Sequence, residues 1–389
     1  MDVAVVGAGL GGLAVAIGLR RAGHTVTVFE RAAEPRESGA GIGIMPNGVQ
    51  ALDALGLGAP LRARATPLEA GIIRDRRGRP LLSVDHDALL RHTGDPLVVV
   101  PRRWLHTMLL DAAGADILRT GRPVRELRDD GEGVEIDGSA RFDAVIAADG
   151  ANSRLRGALF PAFPGLRGSG EYAARAIVPA PPGVTPVPGE LLDRRTGERF
   201  GCMPMADGTV YWYATWPADR LTAAADVPRW LRDRRADWHP SVPALIGAAA
   251  PADVHVVETA QLVHPLPALA VGRVALLGDA AHAMTPDIGQ GAGQAFEDAA
   301  TLAALFDGLS PSAVPTALAR YDAVRGPRTS ALQRAARRTH RLLGLRGPAA
   351  HARDIAFRLI PGTLAARAMS AQLRFAAPTP LGANGTLAL

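Results

Sequence analysis

The first thirty residues constrain the fold more than any other part of the chain. The apolar run from Asp2 to Val6 is typical of a strand buried in a parallel sheet, and the segment GAGLGG follows at Gly7 to Gly12. A helical pattern then continues to Arg20, and Thr25 to Glu30 predicts a second strand. A strand, a glycine turn, a helix and a second strand that ends in an acid are the parts of a dinucleotide-binding βαβ unit.

The glycines of this segment have separate tasks in such a unit. Gly7 permits the tight turn, Gly9 lets the backbone approach a pyrophosphate, and Gly12 allows the helix to pack closely on the strand. The helix N-terminus, with Leu10 and Gly11, offers free N–H groups and a positive dipole to phosphates.

The acid that ends the second strand strengthens this interpretation. Glu30 stands where a carboxylate accepts hydrogen bonds from a ribose, and Arg31 follows it as a further candidate contact. An ordinary glycine-rich turn would leave Glu30 unexplained, so we expect a bound dinucleotide. The motif alone does not distinguish FAD from NAD.

Composition excludes several kinds of chemistry. All 43 basic residues are arginine, because the 389-residue sequence contains no lysine. A Walker A phosphate lysine, a Schiff base and a lysine general base are therefore excluded. Cys202 is the single cysteine, which excludes an internal disulfide, a CxxC redox pair and a cysteine-based zinc cluster. We expect no metal site.

Charge and hydropathy bear on partners and location. Acids and arginines alternate along the chain, so the formal charge of +5 predicts no nucleic-acid surface. A membrane helix needs about 18 to 20 apolar residues, and no apolar stretch is that long, so we expect no membrane partner. The start MDVAVV lacks the pattern of a signal peptide. Together with the unpaired thiol, these features predict a cytoplasmic protein.

Two later stretches also read as strands that end in an acidic turn. DAVIAADGANSRLR (Asp143 to Arg156) turns at Asp149 and Gly150. GRVALLGDAAHAMTPDIGQGAGQAFEDA (Gly272 to Ala299) turns at Gly278 and Asp279, and a helix begins near Gln290.

With these three motifs the sequence resembles the single-component FAD-dependent aromatic hydroxylases, the monooxygenases built like para-hydroxybenzoate hydroxylase. GxGxxG lies at Gly7 to Gly12, the DG stretch at Asp149, and the GD stretch at Asp279, with Pro286 and GQG at Gly289 to Gly291. The resemblance runs from residue 1 to about Arg334. It is nearest to members of the urate hydroxylase, salicylate hydroxylase and zeaxanthin epoxidase types.

The resemblance implies an α/β fold. A Rossmann-type FAD-binding domain is expected to carry an inserted mixed β-sheet substrate domain and to be followed by C-terminal helices. The expected boundaries are 1–70, 98–170 and 259–330 for the discontinuous FAD-binding domain, 71–97 and 171–258 for the substrate-binding sheet, and 331–389 for the C-terminal helical segment.

The resemblance also implies one non-covalently bound FAD. Gly39 to Leu57, which includes Gly43, looks like the flavin-lining segment, and Pro101 to Leu109 looks like the Arg-x-x-Leu segment, which aligns on Arg102. An acid at Asp279 suits a ribityl hydroxyl, since ligands bind at the carboxyl ends of parallel strands; the alternative role is a helix N-cap. The full set of expected cofactor contacts is Gly7, Gly9, Leu10, Gly11, Gly12, Glu30, Arg31, Gly43, Arg102, Val124, Asp149, Asp279, Pro286, Gly289, Gln290 and Gly291.

The activity that the resemblance implies is hydroxylation of an aromatic or polycyclic small molecule, in secondary metabolism among other settings. NADPH or NADH would bind transiently and reduce the flavin, and O2 would then react through a C4a-hydroperoxyflavin. An epoxidase or an oxidase of a non-aromatic substrate is the alternative. The expected oligomeric state is a monomer or a homodimer.

Three residues stand where bacterial urate hydroxylases place groups that hold or activate substrate: Arg199, Tyr211 and Asp287. Each has a purely structural alternative, namely a surface strand arginine, a core aromatic and a loop cap. In TVYWYATW (Thr209 to Trp216), alternation predicts that Tyr211 shares one face with Tyr213 and Thr215.

Overall fold

The computed structural model describes residues 1–34, 40–69, 71–220 and 226–378. Its strands, in chain order, are β1 (Asp2–Val6), β2 (Thr25–Phe29), β3 (Gly41–Ile44), β4 (Thr66–Leu68), β5 (Ile73–Asp75), β6 (Pro80–Leu82), β7 (Leu97–Pro101), β8 (Leu118–Arg119), β9 (Leu127–Asp129), β10 (Val134–Ile136), β11 (Ala140–Phe142), β12 (Ala144–Ala147), β13 (Leu166–Pro179), β14 (Gly189–Leu192), β15 (Arg199–Pro204), β16 (Thr209–Pro217), β17 (His255–Leu262), β18 (Ala270–Val271) and β19 (Val274–Leu276).

The helices, in the same order, are α1 (Leu10–Arg21), α2 (Pro46–Ala54), α3 (Gly58–Arg64), α4 (His86–Thr93), α5 (Arg102–Ala113), α6 (Arg154–Leu159), α7 (Val227–Arg234), α8 (Ser241–Gly247), α9 (Asp279–His282), α10 (Gly291–Phe306), α11 (Val314–Leu343), α12 (Gly347–Leu359) and α13 (Gly362–Ser370). None of the described helices combines the length and the apolar character that crossing a membrane requires.

The first motif builds the centre of a six-stranded sheet with the order β18-β19-β12-β1-β2-β8. β1 pairs in parallel with β2 on one side and with β12 on the other, and β12 pairs in parallel with β19. The three predicted motifs therefore follow neighbouring strands, and their turns meet at one edge of the sheet. Helices α1 and α10 pack together against this sheet, with Leu13 and Phe296 fully buried between them.

The expected α/β fold is confirmed, with a second large sheet in the order β17-β13-β16-β15-β14-β5-β6. Most of this sheet is antiparallel, and β14 pairs in parallel with β5, so the sheet is mixed. The small β5–β6 pair, which lies within the range 71–97 expected to belong to the substrate-binding sheet, joins it at one edge. Two three-stranded sheets, β11-β10-β9 and β3-β7-β4, complete the strand topology.

The two faces of the seven-stranded sheet differ in chemistry, as the alternation in β16 predicted. Phe200, Trp212 and Trp216 point to one side, where residues of α7 and α8 such as Leu231 and Leu245 cover them in an apolar core. The opposite side carries polar and aromatic side chains: Glu171, Arg175, Glu190, Arg199, Tyr211, Tyr213 and Thr215.

Helix α11 spans both large sheets. Near its middle, Arg325 enters the interior beside α10, where its Nε donates a 2.7 Å hydrogen bond to Asp298. One and a half turns before the helix ends, Arg337 donates to the carbonyl of Leu262 in β17 at 2.7 Å. This one helix therefore fixes the position of the second sheet relative to the first.

The single thiol allows the burial of the apolar face of the seven-stranded sheet to be tested. Cys202 lies in β15 with 1% exposure, and burial raises the pKa of its thiol to about 12. Because the thiolate is the reactive form, a thiol-specific reagent should label the native protein very slowly. Labelling in urea should be rapid and should reach one thiol per chain. Equal labelling rates with and without urea would contradict this packing.

A candidate flavin site beside a buried arginine cluster

The glycine turn after β1 is shaped by backbone contacts that leave no room for side chains. Gly7 has a φ of +109°, and a Cβ placed there would lie 2.4 Å from the carbonyl oxygen of Ala148. A Cβ on Gly12 would lie 1.9 Å from the carbonyl oxygen of Gly7. A Cβ on Gly9 would meet no described atom within 4 Å. The turn is thus tight underneath and open at Gly9, where the motif requires space for a pyrophosphate.

Glu30 follows β2 and shapes the same turn. Its two carboxylate oxygens accept hydrogen bonds of 2.8 Å from the backbone N–H groups of Ala8 and Ala32. Each oxygen keeps a second lone pair, so these bonds leave capacity for a ribose hydroxyl. Leu10 packs into the core at the start of α1, and Arg31 is exposed beyond Glu30.

The DG turn after β12 holds a carboxylate with one spare oxygen. Asp149 Oδ2 accepts hydrogen bonds from the N–H groups of Arg154 (2.9 Å) and Leu155 (3.3 Å) at the start of α6. Asp149 Oδ1 is buried and has no hydrogen-bond partner among the described residues. A buried acceptor without a donor is costly, so a polar ligand group is the expected partner.

The GD turn after β19 presents the second acid. Gly278 adopts a φ of +62° and occupies the N-cap position of α9, so Asp279 is the first helical residue and makes no capping bond. The Asp279 side chain is exposed, and it has no hydrogen bond to any residue within the described ranges. The alternative role as a helix N-cap is therefore not what the structure shows.

The GQG loop before α10 combines an exposed backbone with a buried anchor. Gly289 is left-handed with a φ of +64°. Gln290 is 1% exposed and exchanges hydrogen bonds with Asn47 of α2. A Cβ on Gly291 would meet no described atom within 4 Å, and Pro286 is exposed. The first turn of α10 therefore offers open backbone to a ligand and is fixed from beneath.

A buried polar network supports this loop, and sequence reasoning did not find it. Glu297 of α10 accepts from Asn47 at 2.7 Å, from Gln294 at 3.0 Å, and from Arg325. Next to it, Asp298 accepts from His282 at 2.6 Å. Asp298 also accepts from the N–H of Gly278 at 3.0 Å, so the network reaches the GD turn itself. Burial opposes ionisation here, but His282 and Arg325 lower the pKa of Asp298 below its ordinary value.

The remaining candidate contacts lie on the β3-β7-β4 sheet and around it. The backbone N–H of Arg102, at the start of α5, donates to the carbonyl of Ala40 at 2.9 Å, and Gly43 lies in β3. Val124 packs into the core beside the six-stranded sheet. Gly39, which begins the predicted flavin-lining segment, is outside the described residues.

These features together fit FAD. The open backbone at Gly9 suits a pyrophosphate, and the spare oxygen of Asp149 and the free carboxylate of Asp279 suit hydroxyl donors. The first turn of α10, open at Gly291, suits the polar edge of a flat ring.

The polar face of the seven-stranded sheet carries a buried arginine surrounded by acids. Arg199 is 3% exposed, and its guanidinium lies 2.5 Å from Glu171, 2.7 Å from Asp287 and 3.3 Å from Glu190. Tyr213 donates to Glu190 at 3.0 Å, and Thr215 donates to Glu171 at 2.8 Å. We call Arg199, Glu171, Glu190 and Asp287 the Arg199 cluster. Arg199 and Asp287, which the sequence predicted as partners in one site, are in direct contact.

The Arg199 cluster joins parts that are far apart in sequence. Glu171, Glu190 and Arg199 belong to the seven-stranded sheet, whereas Asp287 lies in the short turn Pro286–Ile288 that leads to the GQG loop. The sheet therefore contacts the predicted flavin loop through a charged bond. Because Asp287 comes four residues before Gly291, the cluster lies next to the open first turn of α10.

Burial and charge set the ionisation of the cluster. Burial opposes protonation of Arg199, but Glu190, Glu171 and Asp287 raise its pKa. Burial raises the pKa of Glu190, with Arg199 and Tyr213 acting in the opposite direction. Burial alone would raise the pKa of Asp287, yet His340 and Arg199 hold that pKa below its ordinary value.

His340 is a member of this site that sequence reasoning missed. It projects from α11, and its Nδ1 lies 3.2 Å from Asp287 Oδ2 and 4.0 Å from Glu171 Oε2. Glu171, Asp287 and His340 are close enough together to hold a metal ion. The guanidinium of Arg199, however, already binds both carboxylates and occupies the place of a cation.

Tyr211 lies on the same face but apart from the cluster. Its ring packs on the backbone of Gly41 in β3, where a Cβ would come within 2.3 Å of the ring. It belongs to an apolar group with Val99 and Met205, and burial raises the pKa of its phenol. No hydrogen bond joins its hydroxyl to another of the described residues. Tyr211 is therefore both a packed aromatic and a source of a free hydroxyl.

Fold and site together define an FAD-dependent monooxygenase of the aromatic hydroxylase class. The chain belongs to the family described as "FAD binding domain", whose sequence model matches residues 1–336. The "FAD-dependent urate hydroxylase" of Klebsiella pneumoniae is 34% identical over 349 residues, which cover 87% of this chain and 89% of that one. The "Aurachin C monooxygenase/isomerase" of Stigmatella aurantiaca is 33% identical over 343 residues, covering 85% and 86%.

A solved structure agrees with this assignment. Klebsiella pneumoniae HpxO complexed with FAD and uric acid superposes with a TM-score of 0.86 at 31% identity, covering 96% of both chains. The family expected from the three motifs is confirmed, and so are its fold and its enzyme class.

The free carboxylate of Asp279 provides a test of the flavin site. Asp279→Ala should weaken FAD binding about 10- to 150-fold, the equivalent of about 1.5 to 3 kcal/mol for a charge-assisted hydrogen bond. Flavin fluorescence titration of the apoprotein measures the affinity, and Asp253→Ala, at another exposed acid, is the matched control. Equal FAD affinity in both variants would mean that Asp279 does not touch the cofactor.

Proposed function

We propose that this enzyme hydroxylates an electron-rich aromatic or heteroaromatic small molecule, with NADPH or NADH as reductant and O2 as oxidant. The observation that carries the proposal is the Arg199 cluster, which places fixed charges on the sheet face beside the flavin loop. We further propose that the enzyme acts in the cytoplasm as a monomer or a homodimer.

Holding the cofactor is the first task of the protein. We propose that Gly9 and the N-terminus of α1 receive the pyrophosphate, that Glu30 binds a ribose, and that Asp279 binds a ribityl hydroxyl. FAD, when bound, supplies the transfer of electrons from the nicotinamide to oxygen. The buried network around Glu297 keeps the GQG loop in place, so the flavin-facing backbone is arranged before the cofactor arrives.

Orienting the substrate is the second task. Arg199 is buried, and its guanidinium contacts three carboxylates, so its side chain is fixed. It therefore holds Asp287 in one position. We propose that Asp287 accepts a hydrogen bond from an N–H or O–H group of the substrate. Because the Asp287 pKa is held low, the residue is an acceptor across the neutral range.

The aromatic part of the wall sets the shape of the substrate. Tyr211, Ile177 and Met203 form a flat apolar surface on the same face of the sheet. A planar ring can stack there and place a polar edge toward the Tyr211 hydroxyl. Relatives named for urate and for 6-hydroxynicotinate support a heteroaromatic substrate with ring N–H and O–H groups.

A ligand screen tests the proposed function. The FAD-loaded enzyme is mixed with NADPH or NADH and with single phenols, hydroxypyridines, quinolones and purines, and nicotinamide oxidation is followed. We expect strong stimulation by a heteroaromatic compound and a product heavier by one oxygen. Loss of two hydrogens, or an oxidised alkene, would support the oxidase or epoxidase alternative.

Replacing Tyr211 with Phe separates its packing role from its chemical role. Tyr211→Phe keeps the ring on Gly41 and removes only the hydroxyl, so FAD binding and melting temperature should not change. A lost contact to a substrate heteroatom should raise the substrate Kd about 5- to 150-fold and increase the hydrogen peroxide formed per NAD(P)H. Tyr172→Phe, at a ring stacked on Trp216 on the opposite face, is the control. An unchanged Kd and peroxide yield in Tyr211→Phe would remove Tyr211 from the site.

Arg199 should behave differently, because its removal leaves three buried carboxylates without the guanidinium that they share. Breaking a buried ion pair at one partner costs about 3 to 5 kcal/mol. Arg199→Gln should therefore lower the free energy of unfolding by about that amount, measured by urea denaturation. Arg229→Gln, on the exposed surface of α7, should have little effect. Equal stability of the two variants would mean that the cluster is not formed in solution.

A further inference from the structure

A cavity of about 240 Å³ has His340, the neighbour of Asp287 in the Arg199 cluster, in its wall. Its walls come from β13, β17 and α11, and the polar side chains are Arg167, Ser169, Gln261, Arg337, His340 and Arg341. Asp287, on the far side of His340, has no exposed side-chain surface. Solvent therefore reaches His340 but not the carboxylate behind it.

His340 is the link between the two environments. About a fifth of its side-chain surface is exposed, and its Nδ1 lies within 3.3 Å of both carboxylate oxygens of Asp287. A histidine in contact with a buried carboxylate on one side and with water on the other has the geometry of a proton carrier.

The proposed reaction needs such a carrier. Hydroxylation of a substrate RH follows the balance RH + O2 + NAD(P)H + H⁺ → ROH + H2O + NAD(P)⁺. The nicotinamide supplies a hydride, one oxygen atom enters the product, and the other leaves as water. One proton per turnover must come from solvent into a site that excludes water.

We infer that His340 is the group through which the buried Arg199 cluster takes up a proton from solvent. The proton crosses from the cavity to the imidazole and then from Nδ1 to Asp287. Asp287 passes it on to the oxygen atom that leaves as water and so returns to its ionised form, while His340 is recharged from the cavity. His340 acts through Asp287 and is a positioning residue rather than one that touches the substrate. This inference rests on the proposed function for its place in turnover, but the connection itself is testable without substrate.

The charges around His340 determine the direction of the pH effect. The charged side chains that face His340 from the elements around it are Glu171 and Arg167 on β13, Asp287 before α10, Arg199 on β15, and Arg337 and Arg341 on α11. The hydrogen bond to Asp287 raises the pKa of His340 above its ordinary value of 6.5, against the effect of burial. The protonated form of His340 is thus fully populated below pH 6.5. It disappears as the pH rises through the raised pKa that His340 has in the folded protein. The turnover rate should fall over the same interval.

Two substitutions at His340 separate proton transfer from structural support. His340→Asn keeps a donor near the position of Nδ1 but cannot carry a proton. Its melting temperature should stay near that of the wild type, whereas kcat should fall about 100-fold, the low end for a positioned proton-transfer group, with little change in KM. The decline of kcat above pH 6.5 should also vanish. His351→Asn, at an exposed histidine that lines neither this cavity nor the Arg199 cluster, is the control.

Chemical rescue supplies the opposite test. In His340→Ala, free imidazole can enter the widened cavity, so we expect kcat to recover with imidazole concentration, most strongly at low pH. Wild-type kcat and pH dependence in His340→Asn, with no imidazole effect in His340→Ala, would overturn the inference.

A measurement on the FAD-loaded protein without substrate keeps this inference separate from the proposed function. Histidine labelled with ¹⁵N reports the titration of His340 directly, and His340→Asn assigns its signal. We expect a midpoint above 6.5 that falls in Asp287→Asn, with rapid exchange of the ring proton with water. A His340 signal unaffected by Asp287→Asn would refute the connection, even if the enzyme hydroxylates its substrate. If the connection holds while no aromatic compound stimulates NAD(P)H oxidation, the proposed function fails instead.

Discussion

One buried guanidinium connects the two halves of this enzyme. Arg199 binds carboxylates from β13, from β14 and from the turn before α10, so the polar face of the seven-stranded sheet and the GQG loop cannot move independently. Three carboxylates around one arginine leave an excess of negative charge, which His340 partly offsets when it is protonated. The position of Asp287, the acid nearest to the flavin loop, depends on this balance.

A second buried arginine has the corresponding structural role beneath the GD turn and the GQG loop. Arg325 of α11 binds Asp298 and Glu297, and through them it holds the GD turn and the GQG loop. Because α11 also carries His340, one helix supports both the GQG loop and the residue that we propose carries protons to the cluster. Buried charges of this kind contribute little net stability compared with apolar packing, but they fix geometry. Fixed geometry is what a site needs when its cofactor chemistry must be kept from water.

The local patterns in the sequence predicted much of this structure. The βαβ unit, the two acidic turns and the alternation along β16 all depend on neighbouring residues, and the structure has them where they were expected. Arg199 and Asp287 were identified by resemblance, and their direct contact supports that pairing. The pattern could not show which carboxylates surround Arg199. Glu171 and Glu190 meet it only through the register of the sheet, and a strand segment on its own carries no signal of that register.

His340 illustrates the same limit. It stands in the arginine-rich run RTSALQRAARRTHRLLG, whose charge pattern is typical of a solvated helix face. The packing of α11 across β13 and β17 places this position against Asp287, while Arg337 contacts β17 and Arg341 lines the cavity. Likewise, Asn47 and Glu297 look like ordinary helix residues until α2 and α10 bring them together.

We propose that this site transfers an oxygen atom from O2 to an aromatic ring. Mass spectrometry of the product formed under ¹⁸O2 in ordinary water tests that claim most directly, with the substrate identified by stimulated NAD(P)H oxidation. We expect one ¹⁸O atom per product molecule, and none when the label is supplied as H2¹⁸O. Product oxygen that derives from water, or oxidation without oxygen incorporation, would contradict it.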